Sequence, residues 1–201
     1  MNHDPVKYLL KADPILAKII HLVPRPIWKL ETDYFRSLIE AIINQQLSDK
    51  AANTIISRFN RLFKKHPYSP RNVLALDKEK IRGVGISYGK AAYLHDLAQK
   101  TIKKVLDFER IQNLADEEVI VHLTQVKGIG RWTAEMFLMF SLGREDVFSF
   151  GDQGLKNAVK RLYKLKNHPT PKQAEKIFRK WRPYRTWACR YLWASLELKD
   201  L

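Results

Sequence analysis

Apolar residues recur at three- and four-residue intervals along almost the whole chain, the spacing of helices that bury one face. Tyr34, Phe35, Leu38, Ile39, Ile42 and Ile43 form one such stripe, with Asp33 placed to cap its start. Ala51, Ile55, Phe59 and Leu62 form the next, behind Ser48 as N-cap, and Pro67 and Pro70 are expected to break the chain after it. Ser87 opens a stripe through Ala91, Leu94 and Leu97, and Asp116 is expected to cap a short helix carrying Val119, Ile120 and Leu123. A strongly apolar helix is predicted from about Trp132 to Leu142. Thr170-Pro171-Lys172-Gln173 reads as a capping box with proline at the first helical position. Its helix is expected to run to about Trp181, and a last one to follow Pro183. Only Val147-Phe148-Ser149-Phe150 suggests a strand, and it is short and set in a connection. The pattern predicts an all-α fold.

Two glycine pairs interrupt the helices, Gly83-Val84-Gly85 and Gly128-Ile129-Gly130, and each precedes a helix, which hints at a weak repeat of a helix-turn-helix unit. The second pair is the more informative. Glycines let the backbone take positive φ and come close to a ligand. The N–H groups at the start of the following helix lack intrahelical partners, and phosphate suits that place. Lys127 and Arg131 flank the turn and can add charge. Taken alone, the same Gly-x-Gly is also a plain tight turn.

Charge sharpens this reading. The chain of 201 residues carries a formal net charge of +15, with 36 Lys and Arg against 21 Asp and Glu. Such a surplus suits a polyanionic partner, and nucleic acid is the usual one. A hydrophobic content of 45% suffices for a real core. The start, Met1-Asn2-His3-Asp4-Pro5, carries no secretory pattern, and no apolar run reaches the length of a membrane span. An intracellular, soluble protein is expected. Cys189 is the single cysteine, so neither an internal disulfide nor a four-cysteine iron–sulfur cluster can form. The six histidines show no metal-ligand spacing, and His95-Asp96 and His122 read as solvated or satisfied helix residues.

The string Val126-Lys127-Gly128-Ile129-Gly130-Arg131-Trp132-Thr133-Ala134, followed by Asp146 to Lys156 with Asp152 20 residues after Trp132, resembles the helix-hairpin-helix superfamily of DNA-repair glycosylases. Within it the chain is most similar to the 3-methyladenine DNA glycosylase II branch. Ala41-Ile42-Ile43-Asn44-Gln45-Gln46-Leu47-Ser48, Gly85 to Leu94, and Arg182-Pro183-Tyr184-Arg185 through Trp193 carry that similarity. The resemblance implies two helical lobes, roughly 32–142 and 1–31 plus 143–201, with the active-site cleft between them. It implies Asp152 as the catalytic carboxylate, although the same residue also reads as a helix N-cap. It places Gln45, Trp132, Met136 and Trp193 at a flipped base, where an aromatic is more usual than Met136. Gln46, or its neighbour Leu47, would fill the gap in the duplex. DNA-backbone contacts would come from Lys127, Gly128, Ile129, Gly130, Arg131 and Thr133, and from Ser87 and Lys90. A Na⁺ or K⁺ ion would sit on the backbone carbonyls of Thr124, Val126 and Ile129; no cofactor is required. Family members that nick the strand carry a lysine where this chain has Trp132, so a monofunctional enzyme is expected. It would act as a monomer on damaged double-stranded DNA. Rival expectations are a same-superfamily enzyme for etheno-adducted or deaminated bases, a non-catalytic helix-hairpin-helix binder, and a basic RNA-binding domain.

Overall fold

The computed structural model describes residues 4–63 and 68–198. In chain order the helices are α1 (Pro5–Ala12), α2 (Pro14–Leu22), α3 (Tyr34–Asn44), α4 (Asp49–Arg61), α5 (Pro70–Leu74), α6 (Lys78–Gly83), α7 (Tyr88–Ile102), α8 (Phe108–Ile111), α9 (Asp116–Thr124), α10 (Arg131–Phe140), α11 (Gln153–Leu162), α12 (Pro171–Phe178), a 3₁₀ turn (Arg179–Trp181) and α13 (Arg185–Ser195). No strand occurs among the described residues. Side-chain caps open most of these helices. Asp33 Oδ1 accepts the Arg36 N–H, Ser48 Oγ that of Ala51, Ser87 Oγ that of Lys90, and Thr170 and Gln173 cap each other reciprocally.

The structure corrects four local expectations. Pro70 does not break the chain. It starts α5 behind the Ser69 cap, where its missing N–H costs nothing; Pro67 lies outside the described residues. Asp116 is the first residue of α9 and Ala115 its N-cap, and Glu118 Oε2 takes the Ala115 N–H at 2.8 Å. Val147–Phe150 is not a strand. Thr186 Oγ1 takes the Val147 N–H, and Phe148 stacks on Phe178. The glycine pairs are not equivalent either. Positive φ falls on the second glycine of one, Gly85, and on the first of the other, Gly128.

The chain forms two compact units, Glu31–Leu142, and Met1–Leu30 with Gly143–Leu201. In the first, α3 packs against α4, α7 and α10, α5 and α6 lie on α7, and α9 pairs with α10. Phe35, Leu38, Ile39, Ile42, Leu94, Leu97, Ala134 and Leu138 are buried there. In the second, α13 packs against α1, α2 and α11. Its core holds Asp13, which is 0% exposed. Asp13 Oδ1 caps α2 through the N–H groups of Ile15 and Leu16. Its Oδ2 accepts the Tyr163 hydroxyl at 2.5 Å and the Trp181 indole N–H at 3.0 Å. Burial and the Asp13 carboxylate push the Tyr163 phenol well above its ordinary pKa.

Candidate active site and nucleic-acid interface

In the first unit α9 and α10 form the hairpin. Gly128 has φ +82°, and a Cβ there would overlap the Tyr93 ring. The turn closes through the Ile129 N–H on the Val126 carbonyl at 3.1 Å. Gly130 caps α10 without a side-chain acceptor, so the N–H groups of its first turn suit an outside acceptor. A clamp holds the approach to this turn. Asp96 Oδ2 accepts the Lys127 N–H at 2.8 Å and the Lys100 ammonium at 2.6 Å, and Lys100 also donates to the Gln125 carbonyl. Burial alone would raise the Asp96 pKa. The bonds from Lys100 and Lys127 outweigh it and hold the carboxyl below its ordinary value. Asp96 is thus satisfied as expected, whereas His95 has a buried Nε2 without a hydrogen-bond partner among the described residues.

The predicted base-contacting residues of this unit line one cavity of about 880 Å³. Gln45, Gln46, Leu47, Trp132 and Met136 all face it. Trp132 is 47% exposed. Gln46 takes φ +57° just past the end of α3, a conformation that costs a non-glycine residue about 1 kcal/mol. The loop is held in it by two bonds at its base: the Lys90 ammonium donates to the carbonyls of Ile43 and Gln45 at 2.8 and 2.7 Å.

Three predicted phosphate contacts are therefore differently employed. Lys90 is turned inward onto carbonyls that end a helix, and partial burial lowers its pKa. Thr133 is 5% exposed and lines the cavity. Arg131 is held by carboxylates, with Glu117 on both terminal nitrogens and Glu135 on Nε. Glu117 and Glu135 raise its pKa further. Ser87 caps α7 through its hydroxyl and is among the residues that line the cavity. Lys127 is exposed, with its backbone rather than its ammonium in the clamp. Gln45 has a second task, since its side-chain amide donates to the Gly128 carbonyl at 2.7 Å and ties the cavity loop to the hairpin.

In the second unit Asp152 sits at the N-cap of α11. Its Oδ1 accepts the Leu155 N–H at 2.7 Å and the Trp193 indole N–H at 3.0 Å. Asp152 is both a cap and the direct partner of a residue predicted for the base pocket. Gly154 leaves room beside this pair, since a Cβ there would lie 3.1 Å from Asp152 Oδ1 and a neighbour would have to give by a few tenths of an ångström. The segment leading to Asp152 is pinned to the start of α13. Thr186 donates through its N–H to Glu145 and through its hydroxyl to the Arg144 carbonyl, and Arg185 holds Asp146. Sequence reasoning missed Gly154, the Asp96 clamp, and the cavity residues Asn44, Asp49, Tyr93 and Phe140.

Residues 39–183 match the family described as HhH-GPD superfamily base excision DNA repair protein, and the chain belongs to it. Among individual proteins, it is 38% identical over 168 residues to DNA-3-methyladenine glycosylase 1 of Schizosaccharomyces pombe, covering 83% of this chain and 74% of that one. The solved S. pombe 3-methyladenine DNA glycosylase Mag1, in complex with abasic DNA, superposes with a TM-score of 0.88 at 35% identity, covering 98% of both chains. A crystal structure of the DNA-3-methyladenine glycosidase of Bacillus halodurans gives a TM-score of 0.86 at 35% identity, covering 98% of this chain and 90% of that one.

Proposed function

We propose that this protein is a monofunctional DNA glycosylase that hydrolyses the N-glycosidic bond of alkylated bases flipped from duplex DNA and leaves an abasic site. The observation that carries the reading is the Asp152 carboxylate, held by the Leu155 N–H and the Trp193 indole. Breaking the glycosidic bond builds positive charge on the sugar, and a carboxylate already fixed in place stabilises that charge without reorganising. The same group can orient the attacking water. An alkylated purine is already cationic in the nucleoside, so its departure needs no second acid. Trp132 and Met136 supply a face for the base, and the cavity loop carrying Gln46 and Leu47 the wedge. The backbone of the Gly128–Gly130 turn, with Lys127, holds a phosphate.

Damaged double-stranded DNA is the partner, a monomer the acting form, and a reducing, intracellular setting suits the buried thiol of Cys189. No helix among the described residues is long and apolar enough to cross a membrane. A Na⁺ or K⁺ ion on the carbonyls of Thr124, Val126 and Ile129 fits the hairpin, since a carbonyl that accepts one N–H, as that of Val126 does, keeps a second lone pair. Bound there, it would add positive charge next to a phosphate and take no part in bond breaking.

The test is Asp152→Asn, which keeps an oxygen for the cap. Base release from an alkylated duplex should fall by at least about 10³-fold while duplex affinity stays within a few-fold. Unchanged release removes Asp152 from the reaction. Borohydride trapping should yield no adduct, because Trp132 offers no amine for a Schiff base.

A further inference from the structure

Two charged residues line the 880 Å³ cavity, Lys90 and Asp49. The Lys90 ammonium is committed to the carbonyls of Ile43 and Gln45. Asp49 also lines the adjoining cavity of about 450 Å³, together with Glu40. Glu40 is occupied by Arg36 at 2.8 Å and by the Tyr68 hydroxyl. Asp49, by contrast, is exposed and makes no side-chain hydrogen bond or ion pair among the described residues. Nor is it needed as a cap, because Ser48 already accepts the Ala51 N–H at the start of α4. Its position in the first turn of that helix favours negative charge. On a chain of net charge +15 that meets a polyanion, an unneutralised carboxylate beside the base cavity opposes general DNA affinity. It attracts a ligand that is itself a cation.

We propose that Asp49 is a specificity-determining residue whose carboxylate selects bases carrying a fixed positive charge over neutral ones of the same shape. The proposal rests on the glycosylase reading and adds to it a division of labour between two aspartates. Before the bond breaks, the positive charge of an N-alkylated purine lies on the base. As it breaks, that charge moves to the sugar and the base leaves neutral. A carboxylate beside the base therefore favours the bound ground state, whereas one beside the sugar favours the transition state. Asp49 strengthens binding of the cationic lesion without accelerating its release, and Asp152 accelerates release without strengthening binding.

The experiment compares two duplexes at slightly acidic pH. One carries 7-methylguanine, a cation, and the other 7-deaza-7-methylguanine, its neutral isostere. Both sugars are 2′-fluorinated so that neither base is released. The intact protein should bind the cationic duplex about tenfold tighter, equivalent to about 1.4 kcal/mol. Asp49→Asn should bring that ratio near one, and Asp49→Glu should restore part of it. Single-turnover release from ordinary 7-methylguanine DNA at saturating enzyme should not fall in Asp49→Asn and should rise by up to about tenfold, because the ground-state attraction is lost as the charge leaves the base. A ratio that survives Asp49→Asn overturns the proposal. So does an equal change for both duplexes, which would mean phosphate repulsion or a looser helix start. A fall in the saturated rate comparable to that of Asp152→Asn would also overturn it, by making Asp49 part of the chemistry. If the parent protein releases no base from any alkylated duplex, it is the glycosylase reading that fails.

Discussion

Asp13 and Asp152 share one local grammar. Each is an aspartate whose Oδ1 caps a helix, and each also accepts an indole N–H, from Trp181 and Trp193 respectively. They differ in what surrounds them. Asp13 is sealed in the core, so its loss leaves a hydroxyl and an indole N–H without an acceptor and α2 without a cap. Asp13→Ala should cost about 3 kcal/mol, a melting temperature lower by about 6–12 °C. Asp13→Asn keeps one acceptor oxygen for four donors and sets its NH2 against the others, so it should recover only part of that loss. At Asp152 the indole matters for orientation. Trp193→Phe keeps a ring and removes the donor, so base release should drop about tenfold with duplex affinity and melting temperature little changed. An equal loss of affinity would assign Trp193 to base stacking instead. Asp96 gives the pH-dependent case. Its folded pKa lies below the unfolded value of about 3.9. The stability it contributes is therefore present above that value and lost as pH falls through the lowered one. Thermal melts of the parent and Asp96→Asn should differ most near neutral pH and converge below about pH 4.

The hairpin and the cavity loop behave as one element. Lys90 closes the end of α3, Gln45 reaches from that loop to Gly128, and Tyr93 packs where Gly128 has no side chain. Lys90→Met keeps the stem and removes the donor. If Lys90 holds the loop, fluorescence of 2-aminopurine next to a lesion should report weaker flipping, and release should slow about tenfold. Affinity for undamaged duplex should barely change. A phosphate contact would instead weaken binding to every duplex alike. The sequence displayed most of this element but not its wiring. Periodicity and caps are local, so α3, α4, α7, α10 and α12 could be read from stripes and from Asp33, Ser48, Ser87 and Thr170. The same grammar was available at Asp4-Pro5 and Asp13-Pro14, where α1 and α2 begin, and Ser69-Pro70 hides α5 behind a residue that elsewhere ends helices. Where Lys90 and Arg131 point is decided largely by the carbonyls of Ile43 and Gln45, 47 and 45 residues away, and by Glu117, 14 residues away, which no local pattern carries; only Glu135, one helical turn beyond Arg131, is a local partner. Asp152 was singled out by the family resemblance, since its spacing alone equally suits a helix cap; the indole that donates to it, 41 residues on, came only with the fold.

At the scale of the whole molecule, the surplus of +15 decides how tightly DNA is held, and the distribution of partners decides which cations contribute. A protein that neutralises 6–10 phosphates loses about 10³- to 10⁵-fold in affinity between 50 and 200 mM salt. A dependence of that order is expected here for damaged and undamaged duplexes alike. Single-turnover release at saturating enzyme should show little of it, since the role proposed for Asp152 begins once the sugar is bound. Individual residues should then separate by their partners. Lys127 has an exposed side chain beside the glycine turn, so Lys127→Ala should reduce the slope of log affinity against log salt by about one. Arg131 spends its charge on Glu117 and Glu135. Arg131→Ala should change that slope by clearly less than one, because it also removes the cation that Glu117 and Glu135 share. Should Arg131→Ala reduce the slope as much as Lys127→Ala, the guanidinium must leave its carboxylates for a phosphate on binding, and the charge network of the free protein would be a resting arrangement that DNA displaces.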